Sequence, residues 1–220
     1  MVYDNQADLQ LVMDMAGYEW AAGHSDLAAG RMFVSIAPSA QQSLEIERQV
    51  PHEVAHFMLY GALGPDAHAR MPKWLDEGIA TNAELYSDPI QRQLLELAHA
   101  EGSLPSLFAL CESFPAEPNL ARIAYAQSAS FVEYLNREYR VVGVGALVDA
   151  YTQNRDCMDA PSNVFGKNLL ELEAEWKQAT FGDEDALLRF LEELSPTDLA
   201  LAVGALLVLV LINRWRKRYG

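Results

Sequence analysis

Pro51-His52-Glu53-Val54-Ala55-His56-Phe57 is an H-E-x-x-H match in an apolar setting. On a helix, His52 and His56 stand one turn apart and project from the same face. Two imidazoles so placed can hold one zinc ion. Glu53 then lies beside the metal, where its carboxylate can take a proton from an activated water. A zinc site with two histidines needs a third protein ligand and an open position. The stretch Pro72-Lys73-Trp74-Leu75-Asp76-Glu77-Gly78-Ile79-Ala80 offers Glu77, far enough from His56 for a helix end, a loop and a new helix. Pro72 suits the first turn of that helix, and Trp74, Leu75 and Ile79 are expected to face the core.

The pairing of H-E-x-x-H with a downstream W-L-x-E-G-x-A resembles the gluzincin zinc metallopeptidases, and within them the peptidase MA-like branch. The likeness runs from about Trp20 to Trp176. It implies an α+β, zincin-like peptidase domain, mostly helical, with a small N-terminal sheet. It also implies one bound Zn2+, a peptide or protein substrate, His52, His56 and Glu77 as metal ligands, and Glu53 as general base. Members of the family usually carry more sheet ahead of the first motif. The sequence therefore reads as a fragment or as a chain that begins at an internal Met, which leaves an export signal open; Met1 to Gln6 has neither a basic n-region nor an apolar h-region.

Charge bounds the partners. The chain has 220 residues, half of them hydrophobic, and a net charge of −15. Residues 199–220 hold four of the 16 basic residues and no acid, so residues 1–198 carry 12 basic against 31 acidic groups, a balance of −19. An acidic body of this kind argues against nucleic-acid binding. Cys111 and Cys157 form no close metal pair; a disulfide and two separate thiols both fit the sequence.

Along the chain, residues 7–16 read as a short amphipathic helix or strand. Tyr18-Glu19-Trp20-Ala21-Ala22-Gly23 leads to a turn at His24-Ser25-Asp26, and Arg31 to Ala37 reads as a strand ended by Pro38. The resemblance places that strand on the border of the cleft, where an extended peptide could pair with its edge. The active-site helix lies between Ser39 and Leu63, with a kink or restart at Pro51. The second ligand helix is expected from Pro72 to about Tyr86, and another over residues 88–110. A long helix follows from Asn119 to Tyr139, then one from Ala146 to Gln153 and one from Leu169 to Thr180, with Leu170, Leu172 and Trp176 at core spacing. His24, His68 and His99 read as exposed. Asn82 stands where thermolysin-like relatives carry a carboxylate that orients a ligand histidine, and no residue stands out as the partner of either ring.

The pattern Y-x-x-S-x-x-F-x-x-Y-L, Tyr125 to Leu135, looks like the helix that follows the ligand helices in the MA-like branch. A tyrosine hydroxyl near the metal can steady an oxyanion, which makes Tyr125 a candidate catalytic residue; a packed aromatic with a local hydroxyl partner is the plainer alternative. Ser128 has no base placed for it and reads as a packing residue.

Residues 1–182 are thus expected to form the peptidase domain and residues 183–198 an acidic linker. Leu199 to Ile212 is apolar without interruption, shorter than a full span of about 20 residues. Arg214 and Arg216 can snorkel and Trp215 and Tyr219 can sit among headgroups, so residues 199–213 read as a transmembrane helix and 214–220 as a basic cytoplasmic tail. That orientation leaves the catalytic domain outside a single-pass cell-membrane protein. The activity expected is hydrolysis of peptide bonds by a water that zinc and Glu53 activate. An endopeptidase is favoured because the G-x-M-E-N stretch of the zinc aminopeptidases does not occur. The rival is a membrane-tethered binding or assembly module whose zinc is structural or whose catalysis is lost; an intact Glu53 speaks against it.

Overall fold

A computed structural model describes residues 1–12, 23–86, 88–153 and 156–182. In chain order the elements are β1 (Val2–Tyr3), α1 (Gln6–Val12), β2 (Gly23–Asp26), β3 (Arg31–Ser35), α2 (Gln42–Leu63), α3 (Pro65–His68), α4 (Lys73–Asn82) and α5 (Pro89–Ala100). A 3-10 turn at Leu107–Leu110 follows, then α6 (Pro118–Gln153), α7 (Ser162–Phe165) and α8 (Leu169–Phe181). Backbone contacts group Met1–Trp176 as one unit and Lys177–Gly220 as a second, described only through the end of α8 and Gly182. This is the α+β class expected, with a small sheet at the N-terminal end.

The sheet has the order β1-β3-β2 among the described residues. β1 runs parallel to β3, and β2 runs antiparallel to it with Gly23 opposite Val34 and Ser25 opposite Met32. Phe33, Val34 and Ile36 are buried and anchor the sheet to the body. Two expectations need correction here. His24-Ser25-Asp26 is strand, not turn; the turn falls at residues 27–30. The Arg31–Ser35 strand is central, paired on both sides, so among the described residues the edge strands are β1 and β2 rather than β3.

Pro51 lies inside α2 and neither starts nor ends it. A proline in a helix interior has no N–H for the carbonyl four residues back. That carbonyl, Glu47 O, instead accepts the Leu85 N–H at 3.0 Å. The defect in α2 thereby ties down the chain that leaves α4.

α4 is the buried helix. Its residues Trp74, Leu75, Asp76, Glu77, Gly78, Ala80 and Thr81 are all buried. It is shorter than expected, ending at Asn82, and Pro72 precedes it as an extended cap instead of entering the first turn. The Lys73 N–H donates to Cys111 O at 2.8 Å, satisfying one of the four free donors of a helix start. Gly78 sits against α6: a Cβ there would lie 2.6 Å from Ser128 O and 2.7 Å from Val132 Cγ2. Asn82 completes the seam by donating to Gly78 O at 2.8 Å and Ala129 O at 2.9 Å. Below it, the Trp74, Phe131, Tyr151 and Trp176 rings meet edge-on at 5.0–6.0 Å between centroids.

The helix expected over residues 88–110 ends at Ala100 and resumes as the 3-10 turn. The long helix and its successor form α6, whose helical path breaks at Arg140 (φ 64, ψ 169), six residues before the expected restart. On α8, Leu172 and Trp176 are fully buried as expected, but Leu170 is 53% exposed; its spacing from Leu172 puts the two on different faces. Cys111 and Cys157 are joined in a disulfide, which resolves that alternative.

Among the described residues no helix is long and apolar enough to cross a membrane. Residues 183–220, which include the expected linker, transmembrane helix and basic tail, lie outside the described residues.

Candidate metal centre

α2 and α4 bring His52, His56 and Glu77 together. His52 Nε2 lies 3.2 Å from Glu77 Oε2 and 3.3 Å from His56 Nε2, and His56 Nε2 lies 3.6 Å from Glu77 Oε2. Tetrahedral zinc with ligand bonds of about 2.0–2.2 Å has ligand-to-ligand edges of about 3.3–3.6 Å. The triangle of protein atoms is the size of one face of that tetrahedron. Among the described residues these three form the His/Cys/Asp/Glu group able to hold a metal ion.

The back of each ring is held by a carboxylate. His52 Nδ1 is 3.0 Å from Glu84 Oε1, and His56 Nδ1 is 2.9 Å from Asp76 Oδ1. A carboxylate only accepts, so in the neutral form of each ring Nδ1 carries the proton and Nε2 turns its lone pair toward the centre. Two nitrogens and an oxygen converging this way repel one another unless a cation or a proton lies between them. The donor set therefore fits a zinc ion. Lys73, one turn before Glu77, takes the other carboxylate oxygen, with Nζ 2.7 Å from Oε1. That contact leaves Oε2 to face the histidines.

Electrostatics follow from the same contacts. Burial works against a charge on His52, but Glu77 and Glu84 outweigh it and raise its pKa to about 9. Burial opposes protonation of His56 as well, yet Asp76 and Glu77 lift it to about 10. Glu77 is buried, which alone would raise its pKa; Lys73 and the two rings hold it well below the usual carboxylate range. Asp76 is likewise depressed, by His56 and His68 against its own burial.

Glu53 is 6% exposed and faces β2. Ser25 Oγ donates to its Oε2 at 2.5 Å, and a Cβ on Gly23 would overlap its Oε1. Glycine at residue 23 is thus what lets the strand pass so close. Tyr125, from α6, reaches the same place: its ring centre is 6.2 Å from that of His52, and it packs edge-on against Phe114 at 4.9 Å. His52, Glu53, Thr81, Glu84 and Tyr125 share a cleft of about 470 Å³, within the usual size range of ligand sites.

All five candidate residues are therefore brought to one place. His24 and His99 are exposed, as expected. His68 is not: it ends α3 half-buried, with Nε2 3.4 Å from Asp76 Oδ1 and its ring edge-on to Tyr60. Asn82 does not orient a ligand; it stitches α4 to α6. The groups that sequence reasoning missed are Asp76, Glu84, Lys73 and Ser25. Asp76 was in plain view beside Glu77, but its direction depends on where α2 lies. Glu84 is placed by the Leu85 bond that Pro51 makes available, a link local sequence does not announce.

In comparison with known families, the family model described as Peptidase MA superfamily matches residues 1–182. No curated protein and no solved structure matches the chain.

Proposed function

The chain belongs to the Peptidase MA superfamily, and on that premise we propose that it is a zinc-dependent endopeptidase, anchored in a membrane by residues 199–213. The observation that carries the zinc assignment is the ligand triangle with its edges of 3.2–3.6 Å and a carboxylate behind each ring.

His52, His56 and Glu77 would hold the metal through Nε2, Nε2 and Oε2. A zinc ion there supplies Lewis-acid polarisation of a peptide carbonyl and an acidified water. Glu53 takes the proton of the attacking water and passes it to the leaving amine. Ser25 keeps the carboxylate of Glu53 at β2 until substrate arrives. Tyr125 donates its hydroxyl to the oxygen on which negative charge develops. Gly23 brings the end of β2, an edge strand among the described residues, to the cleft; an extended substrate would lie along that edge. An open edge suits cleavage within a chain, which supports the endopeptidase reading.

The Cys111–Cys157 bond supports an oxidising compartment for the domain, and the basic run Arg214-Trp215-Arg216-Lys217-Arg218 supports a cytoplasmic tail. Membrane fractionation of the full chain and of a chain lacking residues 199–220 tests this part: the first is expected in the membrane and the second free of it. For the chemistry, Glu53→Gln is expected to retain zinc and lose at least about a hundredfold in kcat/KM on any cleaved peptide. Hydrolysis at near the wild-type rate in that variant would remove Glu53 as the base. Strict dependence of cleavage on a free amino terminus would turn the endopeptidase assignment into an aminopeptidase one.

A further inference from the structure

The charged groups that line the cleft are nearly all engaged with one another. Glu45 and Arg48 pair at 2.6 Å, and Arg48 also lies 3.7 Å from Asp88. Glu84 is held by His52 at 3.0 Å, and Glu53 by Ser25. Arg122 is different. It lines the same cleft from α6, one turn before Tyr125; it is exposed, and no ion pair or hydrogen bond joins it to another side chain among the described residues.

An arginine cannot shed its charge, and its planar fork of N–H donors matches a carboxylate with two parallel hydrogen bonds. Ile90 and Leu94 of α5 line the cleft as well, with Ile90 56% exposed. Together they make a wall on which an aliphatic stem can lie and a guanidinium that a carboxylate can reach. The long-range field does not create this preference, since residues 1–198 are strongly acidic and repel anionic peptides. Recognition of such a group would have to be local, and Arg122 is where the cleft provides it.

We propose that Arg122 recognises a carboxylate of the bound peptide, so that the substrates of this site carry an acidic group within reach of the scissile bond. The inference rests on the metallopeptidase reading for where that bond lies. The carboxylate can belong to an acidic side chain or to the end of the peptide. The two sources differ in what a test would show, because only the second disappears on amidation.

The experiment uses the zinc-loaded full chain with Glu53→Gln, so that peptides bind without being cut, and the same chain with Arg122→Gln added. Binding is measured by fluorescence anisotropy for labelled peptide pairs: Glu against Gln at each internal position, and free-acid against amidated carboxyl ends. One pair is expected to differ by about tenfold to a hundredfold in the Arg122 protein, the size of a charge-assisted hydrogen bond, and to differ little after Arg122→Gln. Which pair it is identifies the source. Equal binding of every pair, a preference that survives Arg122→Gln, or failure to bind any of the peptides overturns the proposal. Hydrolysis by the chain with Glu53 intact separates the two readings. A carboxylate preference that depends on Arg122 with no cleavage of any peptide sinks the peptidase assignment alone; cleavage that is indifferent to carboxylates sinks the Arg122 assignment alone.

Discussion

The two ligand helices hold their residues in place by different means. α4 has seven of its ten residues buried, and Glu77 is fixed because everything around it is packed. α2 has three buried residues in 22, Glu53, Ala55 and His56, while Val54 and Met58 are 37% and 70% exposed. Packing alone cannot aim the rings of so exposed a helix. They are aimed by carboxylates that come from the other side: Asp76 on α4 and Glu84 just after it. Pro51 contributes by leaving Glu47 O open for Leu85 N–H. One helix is positioned by apolar burial and carries one candidate ligand; the other carries two candidate ligands positioned by polar ties. The difference teaches where the site is robust and where it can be tuned without unfolding.

The largest test strikes the packed side. Trp74 is fully buried between Phe131 and Tyr151. Trp74→Ala should lower stability by about 4 kcal/mol, read as the midpoint of denaturant unfolding. A loss below about 1 kcal/mol would mean that α4 is not held by its core face.

A change of pH strikes the polar side. His52 and His56 have folded-state values of about 9 and about 10, above the 6.5 of a free imidazole. Protonation therefore stabilises the metal-free fold fully below about pH 6.5, and that contribution is lost as pH rises through about 9 and 10. Zinc competes with the same protons. Its affinity should fall by about a hundredfold, about 3 kcal/mol, as pH is lowered from 8 to 7, one proton for each ring, measured by chelator competition. Affinity independent of pH over that range would place the metal elsewhere.

Asp76→Asn keeps size and burial but removes the charge behind His56. Zinc affinity is expected to drop by about 10- to 100-fold with the fold retained, and Glu84→Gln should do the same for His52. Equal affinities in the variants and the parent would show that the rings need no carboxylate to aim them. The smallest effect is the most diagnostic of the comparison. Pro51→Ala supplies an N–H that competes with Leu85 for Glu47 O. Thermal stability should hold or rise, by under about 1 kcal/mol, while zinc affinity falls by about threefold, as expected for a loosened outer partner. A variant that lost stability and kept its affinity would reverse that account of Pro51.

The sequence makes the candidate metal ligands legible: helical spacing puts His52 and His56 on one face, and the downstream W-L-x-E-G-x-A stretch, with the resemblance it carries, offers Glu77. Tyr125 was legible through the Y-x-x-S-x-x-F-x-x-Y-L pattern, and α6 does carry it to the His52 ring. The carboxylates behind the rings were not legible. With 31 acidic residues in the chain, nothing marks Asp76 or Glu84 until α2 and α4 are set side by side. Strand order was misjudged for a similar reason: local pattern identifies Arg31–Ser35 as a strand, but its pairing on both sides depends on β1 and β2. His68 read as exposed because loop residues usually are; the short helix α3 turns it to Asp76 instead.

The most direct test of the central claim is the zinc content of the purified full chain beside that of Glu77→Ala, by mass spectrometry of the metal after dialysis against a weak chelator. One zinc per chain, lost or weakened at least about a hundredfold in the variant, is the predicted result. A folded wild-type chain that holds no zinc, or a variant that holds it as tightly as the wild type, would contradict the three-ligand site and bring the binding-module alternative forward.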